Sequence, residues 1–67
     1  MIEVTINGEE RELEGSMTIS ELLADYNLKE KMIVVEHNYQ ILPRDQYGST
    51  RVDAGDRLEI VQMMAGG

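Results

Sequence analysis

Apolar and polar residues alternate over the first six positions of the chain. Ile2, Val4 and Ile6 fall on one face of an extended backbone, and the residues between them are polar. Alternation with a period of two is typical of a half-buried β-strand. Asn7-Gly8 follows, and this dipeptide favours a type I′ turn because both central residues of that turn need a positive φ. The pattern therefore predicts a β-hairpin whose second strand covers 9–14.

The segment 17–27 has the spacing of an amphipathic helix. Its apolar residues recur at i, i+3, i+4 and i+7 and form one stripe, which comprises Ile19, Leu22, Leu23 and Tyr26. Thr18 and Glu21 have the spacing of a capping box, in which each side chain accepts a hydrogen bond from the other residue's backbone N–H. Asn27 tolerates the left-handed conformation in which many helices end. We predict a short helix of about three turns that is stabilised mainly by packing.

Apolar runs after the helix predict the remaining strands. Residues 33–35 form a compact apolar run that is typical of a buried strand, and shorter strands are expected at 41–42 and near 50–52. The stretch 43–48 is polar and is predicted to be irregular. The last strand is predicted over 57–64, with a turn before it.

The order of these elements predicts the fold class. Two strands precede one helix, and two or three strands follow it, which is the pattern of an α+β protein with a β-grasp fold. We expect four to five strands in a mixed sheet with the one main helix packed on one face. The other face of such a sheet can remain in water and be available to another protein.

Charge and composition exclude several classes of partner. The chain has 67 residues with 13 acidic and 6 basic side chains, which gives a net charge of −7. Nucleic acids and anionic membranes attract positive charge, so we expect no binding to either. Cysteine is absent, which excludes disulfides and fits a reducing compartment. The longest apolar run, 32–35, is too short to span a bilayer, and we expect a soluble, cytoplasmic protein that is a monomer when free.

No catalytic constellation is apparent in the sequence. A metal site needs three or four converging ligands, and a catalytic triad needs a nucleophile beside an oriented base. His37 is the only histidine, and we interpret it as a half-exposed structural residue at a strand end. Glu10, Glu12 and Glu14 are interpreted as a solvated face that guards an edge strand against aggregation. We therefore predict that the chain has no catalytic residues, is not an enzyme and binds no metal.

Gly66 and Gly67, at the end of the sequence, are its strongest functional signal. Glycine has no Cβ, so an extended tail can thread a narrow channel and another molecule can approach its last carbonyl closely. A free carboxylate is a poor electrophile until it gains a leaving group, which adenylation by ATP supplies. This chain is too short to hold the phosphate and Mg²⁺ site, so a partner enzyme must provide that step. We expect a β-grasp domain over 1–63 and a flexible tail over 64–67, in which Ala65 and Gly66 thread into the partner.

Several segments spread over the whole chain resemble one known family. They are the hairpin at Asn7-Gly8, the helix start Thr18-Ile19-Ser20-Glu21-Leu22-Leu23, the stretch Leu42-Pro43-Arg44-Asp45-Gln46-Tyr47, the turn Ala54-Gly55-Asp56 and the ending Met63-Met64-Ala65-Gly66-Gly67. Together they resemble the ThiS family, the ubiquitin-like sulfur carriers of thiazole formation in thiamine biosynthesis. Many members of that family have a tryptophan at the position of Tyr47 and a phenylalanine in the last strand, whereas this chain contains neither residue type.

The resemblance implies a role for the last residue. Gly67 would be adenylated by an activating enzyme related to those of ubiquitin, and sulfur from a persulfide donor enzyme would displace AMP to leave a thiocarboxylate. The tail would then enter thiazole synthase and deliver its sulfur. ATP is used by the partner in this scheme, and the carrier itself binds no cofactor.

A partner surface is expected beside the tail. Leu58 and Ile60 alternate with Val61 and Met63 along the last strand, so the second pair faces away from the helix. We predict that Val61, Met63 and Met64 contact partners, because methionine adapts its shape to more than one surface. The alternative is that the two methionines close the bottom of a small core.

Other functions remain open from the residues alone. The small subunit of molybdopterin synthase shares the fold and the Gly-Gly ending, but such proteins often have prolines just before the glycines, and Pro43 is the only proline here. A ubiquitin-like protein modifier would form isopeptide bonds with lysines, and a plain binding domain would make no use of the glycines.

Overall fold

A computed structural model describes residues 1–63. The elements are β1 (Ile2–Ile6), β2 (Glu9–Leu13), β3 (Met17–Thr18), α1 (Ile19–Asp25), β4 (Ile33–His37), β5 (Gln40–Ile41), β6 (Arg51–Val52) and β7 (Arg57–Gln62), with 3₁₀ turns at Glu30–Met32 and Arg44–Gln46. Five strands form a mixed sheet in the order β2-β1-β7-β4-β5, and β3 pairs with β6. This is the predicted β-grasp arrangement. No helix within residues 1–63 is long and apolar enough to cross a membrane.

The first hairpin forms as the sequence predicts. Asn7 and Gly8 both have positive φ, 52° and 80°, and the strands pair from Ile2 with Leu13 to Ile6 with Glu9. The Asn7 side chain also binds the central strand β7: its Oδ1 accepts from the Ile60 N–H at 2.7 Å, and its Nδ2 donates to the Ile60 carbonyl at 3.1 Å. The turn residue therefore holds β7 beside β1 beyond the last ladder pair, Ile6 with Leu58.

The helix begins directly after its predicted N-cap, Thr18, but covers about two turns instead of the predicted three. Its seven residues follow Thr18, which is the N-cap and belongs to strand β3 because it pairs with Arg51. The capping box is confirmed: the Glu21 N–H donates to Thr18 Oγ1 at 3.1 Å, and the Thr18 N–H donates to Glu21 Oε1 at 2.8 Å. Hydrogen bonds to the Glu21 carboxylate from Thr18, first from its backbone N–H and then from its side chain, hold the pKa of Glu21 below its usual value. Tyr26 is the C-cap, and Asn27 has the expected left-handed φ of 58°.

The strands after the helix differ from the prediction at their ends. Strand β4 continues to His37 because its last two residues pair with β5 across a tight turn. That turn is formed by Asn38 and Tyr39, with positive φ of 50° and 71°, and it places β5 at 40–41 rather than 41–42. Strand β7 ends at Gln62, and the final residue of its predicted range lies outside the described residues.

The core contains one residue that the pattern did not identify. Its buried side chains are Val4, Ile6, Leu13, Ile19, Leu22, Leu23, Ile33, Val35, Tyr47, Val52 and Leu58. Tyr47 lies in the stretch predicted to be irregular, where a 3₁₀ turn over Arg44–Gln46 directs it inward. Its hydroxyl donates to the Ile33 carbonyl and accepts from the Val35 N–H, both at 3.1 Å. Because β5 is short, these two backbone groups of β4 have no strand partner, and the Tyr47 hydroxyl bonds them instead.

Candidate functional site

Strand β7 carries the chain toward its last residues from the centre of the sheet. It pairs in parallel with β1 on one side and antiparallel with β4 on the other. Leu58 is fully buried on the helix side, whereas Val61 and Met63 are 57% and 51% exposed. The predicted alternation of this strand is thus confirmed. For Met63, exposure contradicts the alternative that it closes the core.

Four of the predicted site residues lie outside the described residues. They are Met64, Ala65, Gly66 and Gly67. The predicted division into a domain over 1–63 and a tail over 64–67 depends on the same residues, so it stays a prediction.

The apolar side chains on the solvent side of the sheet form one patch at the end of β7. Val34 lies opposite Val61 in the β4–β7 ladder, and side chains of directly paired residues point to the same face. Ile41 on β5 is 66% exposed and pairs with Glu36, which shares the face of Val34. The Met63 N–H donates to the Met32 carbonyl at 2.7 Å, so the pairing of this chain segment with the β4 side continues to Met63. We name Val34, Ile41, Val61 and Met63 the outer patch.

An ion network borders the outer patch. Arg57 bonds Glu59 at 2.6 Å and Glu36 at 3.3 Å, and its guanidinium carbon lies 4.4 Å from the centre of the Tyr39 ring. The two glutamates are direct cross-strand partners, and like charges in such positions repel. The arginine therefore reduces the repulsion between two carboxylates beside the patch.

The rest of this face is acidic. Glu3 pairs with Glu12, and Thr5 pairs with Glu10, so that three carboxylates lie on the solvent side of β1 and β2. Their exposure agrees with the prediction of a solvated edge, and Glu14 just beyond β2 is exposed as well. The solvent side of the sheet is therefore acidic over β1 and β2 and apolar over β5, β4 and the end of β7.

His37 has a structural role at the opposite end of β7. Its Nε2 lies 2.9 Å from Asp56 Oδ2, and its side chain is 20% exposed. Burial alone would raise the pKa of Asp56, but hydrogen bonds from the Asp53 N–H, His37 and Asn38 outweigh it and hold that pKa below its usual value. The carboxylate thereby joins the turn after β4 to the turn before β7. Within residues 1–63, no three His, Asp or Glu side chains are arranged to hold a metal ion.

A groove on the helix side of the sheet was not predicted. Because α1 has only two turns, it leaves part of the inner sheet face uncovered near the end of β7. The hollow measures about 310 Å³, and we define it as the helix-side groove by six of its lining residues: Ile6, Arg11, Tyr26, Leu28, Ile60 and Gln62. Arg11 points into this side because it pairs with the buried Val4. Two sequence signals mark the groove: Tyr26 at the end of the apolar stripe and a basic residue in register with a core position.

Comparisons with known proteins agree with the predicted fold and family. Residues 4–67 match the sequence model described as the ThiS family. A crystal structure of the thiamine biosynthesis protein ThiS from Geobacter metallireducens superposes with a TM-score of 0.84 at 30% identity, covering 98% of this chain and 100% of that chain.

Relatives occur both as separate proteins and as parts of longer ones. The thiazole synthase of Paramagnetospirillum magneticum is 39% identical over 66 residues, which are 98% of this chain and 20% of that protein. The chain therefore spans about a fifth of that relative's length. The sulfur carrier protein ThiS of Bacillus subtilis is 38% identical over 50 residues, 75% of this chain and 76% of that protein. The corresponding protein of Escherichia coli is 27% identical over 66 residues, 98% of this chain and 100% of that protein.

Proposed function

The chain belongs to the ThiS family, and we propose that it is a sulfur carrier of thiamine biosynthesis. The observation that carries the proposal is the family match over residues 4–67, which includes the two glycines, and the central strand β7 ends four positions before Gly66 in the sequence. The chain acts as a substrate and carrier in this scheme, and the catalytic groups belong to its partners.

The proposed chemistry takes place at Gly67. A carboxylate oxygen of Gly67 attacks the α-phosphate of ATP in an adenylating enzyme, pyrophosphate leaves, and an acyl adenylate forms. The persulfide sulfur of a donor enzyme attacks the acyl carbon and displaces AMP. A thiol then cleaves the sulfur–sulfur bond, which leaves a thiocarboxylate on Gly67 and a disulfide on the donor side. Thiazole synthase accepts this sulfur.

We propose the outer patch as the contact surface for the adenylating enzyme. Its side chains lie beside the end of β7, so an enzyme that covers them also lies close to Met63, which only four residues separate from the end of the sequence at Gly67. Fully burying a valine or methionine stabilises a complex by about 1.5–3 kcal/mol. Val61 is 57% exposed, so its burial contributes roughly 1 kcal/mol, or about fivefold in affinity.

Intact-mass spectrometry tests the chemistry. The chain is incubated with the adenylating enzyme, ATP and a persulfide donor, and we expect a mass increase equal to the replacement of one oxygen by one sulfur. Deletion of Gly67 should abolish this increase and leave the thermal melt unchanged. Gly15→Ala is the matched control, because a Cβ at Gly15 meets no atom within 4 Å, and it should load normally. Loading of the truncated chain would refute the proposal.

The same assay and a binding measurement separate the other functions. Covalent adducts with lysines of other proteins would indicate a modifier, and binding to the large subunit of molybdopterin synthase instead of thiazole synthase would indicate that pathway.

A substitution tests the outer patch. Val61→Ser should lower the affinity for the adenylating enzyme about fivefold. Glu10→Ser, on the same face but outside the patch, should not.

A further inference from the structure

Methionine is the side chain of this protein that peroxides oxidise most readily. Cysteine, the more reactive residue, is absent from the sequence, whereas five of the 67 residues are methionines. Of the four within residues 1–63, Met1 and Met63 are 84% and 51% exposed. Met17 and Met32 are half-buried. A peroxide in solution therefore reaches the sulfur atoms of Met1 and Met63 more readily than those of the other two.

The two exposed methionines lie at opposite ends of the sheet. Strands β1 and β7 are parallel neighbours, and Met1 precedes β1 whereas Met63 follows β7. The hydrogen bond from the Met63 N–H to the Met32 carbonyl holds its backbone beside β4. Its side chain lies on the same face as Val61, because residues two apart in extended chain share a face. Of the two exposed methionines, only Met63 thus belongs to the outer patch.

We propose that Met63 is a redox-sensitive modification site and that its oxidation to the sulfoxide weakens binding of the adenylating enzyme. The oxidant is hydrogen peroxide: the sulfur lone pair attacks one peroxide oxygen, an S–O bond forms, the O–O bond breaks and water leaves. The thioether loses two electrons, which reduce the peroxide. The proposal rests on the function proposed for Gly67 and on the outer patch as the contact surface for that enzyme.

The sulfoxide places a polar oxygen where the reduced side chain presents an apolar surface. The neighbouring patch side chains Val61 and Ile41 are hydrocarbons and donate no hydrogen bond to it. Arg57, on the same face, is already bonded to Glu36 and Glu59. Burying a polar group that gains no hydrogen bond is unfavourable, so we expect the affinity for the adenylating enzyme to fall by about tenfold or more.

Calorimetry with the whole carrier and the purified adenylating enzyme tests the proposal. The carrier alone is treated with hydrogen peroxide, the peroxide is removed, and peptide mass spectrometry locates each added oxygen. Each protein is compared with its own untreated form. The wild type should lose about tenfold or more in affinity once Met63 is oxidised, whereas treated Met63→Leu should change by less than about twofold although its Met1 is oxidised. Met64→Leu, the matched control, should remain as sensitive as the wild type.

Two further measurements separate the effect of the sulfoxide from unfolding by peroxide. Methionine sulfoxide reductases should restore the affinity of the oxidised wild type. Met63→Gln, which is polar without oxidation, should bind about tenfold or more weakly than the untreated wild type and keep its melting temperature. Full affinity of the Met63-oxidised carrier or of Met63→Gln, or an equal loss in treated Met63→Leu, would overturn the proposal. In contrast, failure of the untreated wild type to load sulfur contradicts the proposed function itself.

Discussion

The hydroxyl of Tyr47 provides the sharpest test of how the fold is stabilised. Tyr47→Phe keeps the buried ring and removes the oxygen that bridges the Ile33 carbonyl and the Val35 N–H. The carbonyl retains a long contact from Arg44 Nη2 at 3.4 Å, but the N–H of the fully buried Val35 loses the partner that the hydroxyl provides. Leaving one buried donor unsatisfied costs about 1–3 kcal/mol. We therefore expect a loss of about 2 kcal/mol in the free energy of unfolding.

Thermal and urea denaturation measure this loss. For a domain of this size, about 2 kcal/mol lowers the melting temperature by roughly 8–16 °C. Tyr39→Phe is the matched control, because its side chain is 74% exposed and surface changes usually stay within about 0.5 kcal/mol. A Tyr47→Phe variant with the same melting temperature as the Tyr39→Phe variant would refute the bridging role of the hydroxyl.

Three further changes test the contacts that hold β7. Asn7→Gly retains the positive φ of the turn but loses both bonds to Ile60, so we expect a destabilisation of about 1–2 kcal/mol in urea unfolding, whereas an unchanged midpoint would contradict it. Because the pKa of Asp56 is lowered in the folded state, its ionised carboxylate stabilises the fold at pH values above the unfolded pKa, and this contribution is lost as the pH falls through the folded pKa. In Asp56→Asn, the free energy of unfolding should therefore vary less with pH in the acid range. Arg57→Gln should destabilise the protein more at low than at high ionic strength, because the repulsion between the two neighbouring glutamates is no longer reduced by a positive charge. A loss of stability that does not depend on salt would argue against this repulsion.

Local rules were sufficient for the elements whose signals lie within a few residues. The Asn7-Gly8 turn, the capping box of Thr18 and Glu21, and the alternation that exposes Val61 were all predicted correctly. Each depends on backbone preferences or on a periodicity that act within a few consecutive residues. The alternation also predicts that Val61 and Met63, two members of the outer patch, face away from the helix.

Long-range contacts account for what the sequence did not reveal. Met17 and Thr18 precede the helix and pair with a strand more than thirty residues away, and no local signal predicts this short ladder. Tyr47 lies in a polar stretch, and its burial follows from bonds to a strand that precedes it by more than ten residues. The helix-side groove results from that short helix over a wider sheet, which no single segment encodes.

The side chain of Asn7 has a mechanical consequence for any enzyme that grips the end of the chain. A pull on the residues after β7 is directed along that strand, nearly parallel to its neighbours. Hydrogen bonds to β1, to β4 and to the Asn7 amide then share the force in shear, rather than opening one at a time. The first hairpin therefore holds the strand that bears the force through Asn7, which lies 53 residues before Ile60 in the sequence. In the function proposed above, these bonds would help residues 1–63 to stay folded while an enzyme holds Gly67.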